Sequence, residues 1–68
     1  MLKLGKYRHY KGGIYTLIHV AHHTEREDEL LCIYKDIDGK IWARPFDMWI
    51  EQVEVNGEFV NRFLYIGE

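Results

Sequence analysis

The chain is predicted to be all-β, a small SH3-like barrel of five or six strands with a single 3₁₀ turn. Three observations carry this reading. Turn dipeptides recur at Gly12-Gly13, Asp38-Gly39 and Asn56-Gly57, between apolar runs, and such punctuation marks hairpins. The segments between them are rich in Val, Ile, Tyr, Phe and Trp, the side chains that suit a pleated, half-buried surface. Several short strands with tight turns in 68 residues bury a common face by closing as a small barrel. An OB-fold suits the chain less well, because it wants a helix and a longer sequence. At this length a single domain over residues 1–68 is expected, with a small core.

The elements follow in order. Lys6–Tyr10 is the first strand, Lys11-Gly12-Gly13 the turn, and Ile14–His23 the second strand. Thr24-Glu25-Arg26-Glu27-Asp28 is a charged loop. Read as a two-residue type I′ turn, Asp38-Gly39 pairs Ile37 with Lys40, Lys35 with Trp42, and Ile33 with Arg44. Cys32, Tyr34, Ile41 and Ala43 then form the more apolar, inward face. Lys35, Trp42 and Arg44 share the outward one, as a cation–π group or a ligand platform. Pro45 lacks the N–H a ladder needs and ends that hairpin. Phe46-Asp47-Met48-Trp49 is a single 3₁₀ turn. Asn56-Gly57, read the same way, pairs Val55 with Glu58, Val53 with Val60, and Glu51 with Arg62. Its valines face inward, and the last pair makes a cross-strand ion pair.

Composition bounds the function classes. Hydrophobic residues make up 47% of the chain, which argues for a folded domain over a disordered one. Cys32 is the only cysteine, so no intrachain disulfide can form and a reducing, cytoplasmic setting is expected. No signal sequence or membrane span is read: the longest apolar-leaning run, Ile14 to Ala21, is broken by Thr16 and His19. The formal net charge is −2, yet it is unevenly divided. Residues 1–24 hold Lys3, Lys6, Arg8 and Lys11 and no acid, whereas all eleven acids lie in residues 25–68.

A set of motifs then stands out: Gly5-x-Tyr7-Arg8-His9-Tyr10-Lys11-Gly12-x-x-Tyr15, Ala21-x-His23-Thr24-Glu25, Tyr34, Trp42-x-Arg44-Pro45-x-x-Met48, and Arg62-Phe63. In this order they resemble the bacterial family known as domain of unknown function 1653, over nearly the whole chain. The resemblance implies an SH3-like barrel and polar motif positions at Arg8, His9, Lys11, His23, Arg44 and Arg62; it implies no activity. Two departures stand beside it. The turn at Asp38-Gly39 is shorter than the family's usual Tyr-Gly-containing loop, and Trp49 replaces the Phe that commonly follows Met.

The chemistry these residues favour is binding. Arg8, Lys11, Arg44 and Arg62 flank aromatics, and guanidinium forks match phosphate or carboxylate. Arg8, His9, Tyr10, Lys11 and Arg44 are expected to converge on one groove, with His23, Lys35, Trp42 and Arg62 as further binding candidates. The partner is a protein segment, an anionic small molecule or single-stranded RNA. Stacking on Tyr10 or Trp42 suits RNA, and the negative net charge opposes it. Free strand edges also permit homodimerisation. An enzyme using a His23–Glu25 pair for general acid–base work is the alternative. No nucleophile elbow, phosphate loop or cofactor fingerprint is present, so no cofactor is expected. Nor is a metal: His9, His19, His22 and His23 show no ligand spacing, and adjacent His22 and His23 point to opposite faces of a strand.

Overall fold

The computed structural model describes residues 2–68. It is all-β, with seven strands and one turn of helix: β1 (Gly5–His9), β2 (Ile14–His22), β3 (Leu30–Lys35), β4 (Ile41–Pro45), α1 (Phe46–Trp49), β5 (Gln52–Val55), β6 (Glu58–Asn61) and β7 (Phe63–Gly67). The first sheet is antiparallel in the order β4-β3-β2-β1-β7, and β5 and β6 form a separate two-stranded sheet. The strand number exceeds the five or six expected because the run after Asn56-Gly57 is two strands, divided at Arg62. The hydrogen-bonded ladder does not close into a barrel; β4 and β7 are its edges.

The five-stranded sheet nevertheless curls, bringing its two edges together over the core. The Arg44 guanidinium of β4 lies 5.5 Å from the centre of the Phe63 ring of β7. Tyr7, Leu17, Cys32, Tyr34, Trp49 and Phe63 are the buried core. Trp49 and Phe63 stack at 3.9 Å and 6°, and Tyr7 meets Trp49 edge-on at 5.3 Å. Each such pair adds about 0.5–1.5 kcal/mol beyond area burial, which suits a small domain that has few residues to bury. Gly5 permits the β1–β7 approach. A Cβ there would stand 2.8 Å from the Gly67 carbonyl oxygen, and its φ of +134° disfavours any other residue.

Phe46–Trp49 is one turn of α-helix rather than 3₁₀, since the Ile50 N–H reaches the Phe46 carbonyl four residues back. Pro45 ends β4 and stands as the helix N-cap residue, where its missing N–H costs nothing.

The two Asx-Gly turns differ. Asn56 (φ 53°) and Gly57 (φ 85°) both lie in the left-handed region, as a type I′ turn requires. The register is the expected one, Val55 to Glu58 and Val53 to Val60, but the valines do not join the core: Val55 is exposed, and Val53 and Val60 are half-buried. At Asp38-Gly39 only the glycine has positive φ. The loop is three residues, Ile37-Asp38-Gly39, closed by Asp36 N–H to the Lys40 carbonyl and Gly39 N–H to the Asp36 carbonyl, each at 3.0 Å. This is a type I turn followed by a glycine bulge. Asp36 selects it, because one carboxylate oxygen accepts the N–H groups of Asp38 and Lys40 at 3.0 and 2.9 Å.

The register therefore shifts by one residue from that expected. Tyr34 pairs with Trp42, Cys32 with Arg44, and Lys35 with Ile41. A one-residue slip exchanges faces: Trp42 and Arg44 share the inward face with Tyr34 and Cys32, while Lys35 joins Ile41 and Ala43 outside. Tyr34 and Cys32 are buried as expected; Ile41 and Ala43 are exposed.

Candidate binding site

β1 alternates, so Tyr7 and His9 face the core and Lys6 and Arg8 face out. His9 is half-buried among rings, 5.0 Å from Phe63 and 4.7 Å from Tyr10, centre to centre. Its position follows from the β1–β2 turn, in which His9 N–H bonds the Gly13 carbonyl and Gly12 N–H bonds the His9 carbonyl, both at 2.7 Å. The Lys11 backbone N–H donates to His9 Nδ1 at 3.1 Å, so that nitrogen is an acceptor and the neutral ring carries its proton on Nε2. Burial, then Arg44, Arg62 and Lys11, hold the His9 pKa below the ordinary imidazole value.

These cations come from three separate segments. Arg44 rests over Phe63. Lys11 Nζ lies 5.7 Å from the Tyr10 ring centre. Arg62 is placed by its backbone, whose carbonyl accepts Tyr10 N–H and whose N–H bonds the Glu51 carbonyl. Its Nη2 pairs with Glu51 Oε1 at 2.6 Å, the cross-strand pair expected from the Asn56-Gly57 register, while its buried Nε has no partner. Among the described residues Arg44, Arg8 and Lys11 make no ion pair; the two pairs present are Arg62–Glu51 and Arg26–Glu29. Positive charge at this mouth is thus only partly compensated.

The nine expected binding residues divide by position. His9, Tyr10, Lys11, Arg44 and Arg62 gather at one end of the curled sheet, beside the β1–β2 turn. Trp42 is on the same inward face, two residues from Arg44 and 42% exposed. Arg8 faces outward from β1, and it lines a cleft with His9, Tyr10 and Lys11 that Arg44 does not reach. Lys35 lies on the outer face, away from Trp42 and Arg44, so the expected platform of those three does not form. His23 lies beyond the far end of β2, about 30 Å along the strand from the turn. There its Nδ1 accepts the N–H groups of Glu25 and Arg26 at 3.1 and 3.2 Å. It caps a loop, and the His23–Glu25 general acid–base pair is not formed by side-chain contact.

Two residues of this end, Asp36 and Lys40, were not among the candidates. Trp42 Nε1–H donates to Asp36 Oδ2 at 2.9 Å, and Lys40 Nζ stands 4.4 Å above the Trp42 ring. Trp42 has its cation–π partner, but from the turn rather than from the strands. The Trp42 hydrogen bond, then the Lys40 and Asp38 N–H bonds and the Lys40 charge, hold the Asp36 carboxyl below its usual range. The signal in the sequence was Asp36 three residues before Gly39, since Asp favours the first position of a type I turn.

The chain belongs to the family of unknown function DUF1653, whose profile matches residues 5–65. It is similar to the crystal structure of a protein of that family from Bordetella bronchiseptica, with TM-score 0.86 and 28% identity, covering 97% of this chain and 88% of that one. No curated protein matches. The family resemblance drawn from the motifs is thereby confirmed. No helix is long and apolar enough to cross a membrane.

Proposed function

We propose that this chain is a small cytoplasmic binding module on an SH3-like scaffold, holding a phosphate- or carboxylate-bearing ligand at the mouth formed by His9, Tyr10, Lys11 and Arg44. One observation carries the reading: Arg44 is set on an aromatic face, beside His9 and close to Arg62, without a carboxylate partner of its own. A guanidinium so placed keeps donor edges for an anion, and the Nε2–H of His9 is a further donor. Tyr10 and Trp42 offer ring faces for a planar group. A protein carboxylate, a small anion and a single-stranded RNA phosphate share this chemistry; the net charge of −2 weakens the last, because sequence-independent RNA binding draws on an excess of cations. The test is an NMR titration with inorganic phosphate, a mononucleotide, a short oligouridylate and an acidic peptide. Shifts should cluster on His9, Tyr10, Lys11 and Arg44, and Arg44→Ala should weaken binding by about tenfold or more, as loss of a charge-assisted bond does. Shifts that scatter, or that Arg44→Ala leaves untouched, defeat the proposal.

A further inference from the structure

The solvent side of an antiparallel sheet is ordinarily polar. In this sheet the outward positions are largely aliphatic. Ile14, Ile18, Ile41, Leu64 and Ile66 are between 37% and 57% exposed, and contiguous exposed apolar surface marks interaction sites. Register places Arg8 directly between Ile14 and Leu64. The charged side chains of this face are Lys6, Arg8 and Lys35, and none is acidic. Beside β7 the face deepens into a cleft of about 610 Å³, where Arg8 and Leu64 oppose Val55 and Val60 of the β5–β6 hairpin and Lys11 stands at the rim. No carboxylate lines it.

We propose that this cleft, with the aliphatic face leading out of it, docks an extended segment of a partner protein in which aliphatic side chains alternate with carboxylates. Val55, Val60 and Leu64 supply the apolar walls, and Arg8 and Lys11, free of ion pairs among the described residues, supply the charge complement. The surface continues past the cleft to Ile14 and Ile66, which suits a chain more than a compact small molecule. A two-fold pairing of this face with a second copy would set cations against cations. An anionic membrane is disfavoured by the net charge of −2, and the face lacks the larger basic cluster such binding uses. The cleft adjoins the His9–Arg44 mouth and shares His9, Tyr10 and Lys11 with it, whereas Arg8, Val55, Val60 and Leu64 belong to the cleft alone.

The experiment titrates the isotope-labelled chain with a synthetic ten-residue peptide alternating Val and Glu, and with a control alternating Val and Lys. Amide shifts at Arg8, Ile14, Val60 and Leu64 with the Glu peptide alone are expected. Arg8→Glu should weaken that binding by about tenfold or more, and Leu64→Glu should do likewise; circular dichroism and shift dispersion show that each variant is folded. The inference is overturned if the Glu peptide shifts nothing, if the Lys peptide binds equally, or if the shifts fall on Arg44 and Trp42 instead of Arg8, Val60 and Leu64. Co-sedimentation with phosphatidylglycerol vesicles in place of peptide binding overturns it too. So does a concentration-dependent doubling of mass that moves these same residues.

Discussion

At the scale of single residues, His9 and Cys32 show how burial sets chemistry. Burial and the neighbouring Arg44 resist protonation of His9, so the folded chain binds that proton less readily than the unfolded chain does. The His9 contribution to stability is therefore complete above the ordinary imidazole pKa of about 6.5 and is lost as pH falls through the lower folded value. A proton-detected titration of the His9 ring should show a midpoint below that ordinary value, and Arg44→Ala should raise it; a midpoint indifferent to Arg44 would mean the two groups do not interact. A bound anion reverses the charge balance, so affinity at the mouth should increase as pH drops and His9 becomes cationic. Cys32 has no exposed surface, and burial pushes its thiol up to about 11. It should resist a thiol reagent in the native chain and react only at the rate of opening or unfolding. Rapid labelling at neutral pH under native conditions would contradict this placement.

At the scale of elements, two dipeptides of the same general type specify different hairpins. Asn56 adopts a left-handed φ of 53° that its short polar side chain tolerates. Asn56→Ala should accordingly cost about 1–2 kcal/mol, read as a lower denaturant midpoint with unchanged slope. Asn56→Gly should cost much less. In the β3–β4 turn the controlling group is the Asp36 carboxylate, which binds two backbone N–H groups and the Trp42 indole. Asp36→Ala should speed amide exchange at Asp38 and Lys40 and free the Trp42 ring, visible as a changed fluorescence emission. Unchanged exchange at both amides would show that the loop holds its shape without the carboxylate.

The whole molecule depends on a few large rings. With 68 residues, total stability is expected to be roughly 3–10 kcal/mol, and Trp49 is almost wholly buried between Phe63, Tyr7 and Tyr34. Trp49→Ala should cost about 3–5 kcal/mol and leave a substantial unfolded fraction by circular dichroism. Trp49→Phe should be far milder. The buried indole N–H has no hydrogen-bond partner in the protein, so removing it offsets part of the packing loss, in keeping with the Phe that the family commonly carries there. Equal losses for the two variants would show that the ring stack contributes little.

The all-β class, the Asn56-Gly57 register and the Glu51–Arg62 pair were legible in the sequence because each rests on local information. Two left-handed positions determine that turn, and a period of two then assigns every side chain beyond it. The binding mouth was legible only in part. His9, Tyr10 and Lys11 are neighbours in the chain, but Arg44 reaches them because the sheet curls and sets β4 against β7, an outcome of packing four aromatic side chains into one core. The faces of β3 were assigned correctly, but those of β4 were reversed, because a carboxylate outside the Asp38-Gly39 dipeptide selects a three-residue loop, and one added residue exchanges the sides of the strand that follows. Periodicity and turn chemistry determined which residues are strands and where most of them turn. Tertiary structure alone decided which cations meet and which face away, since sheet curvature and side-chain capture of the backbone depend on groups far apart in the chain.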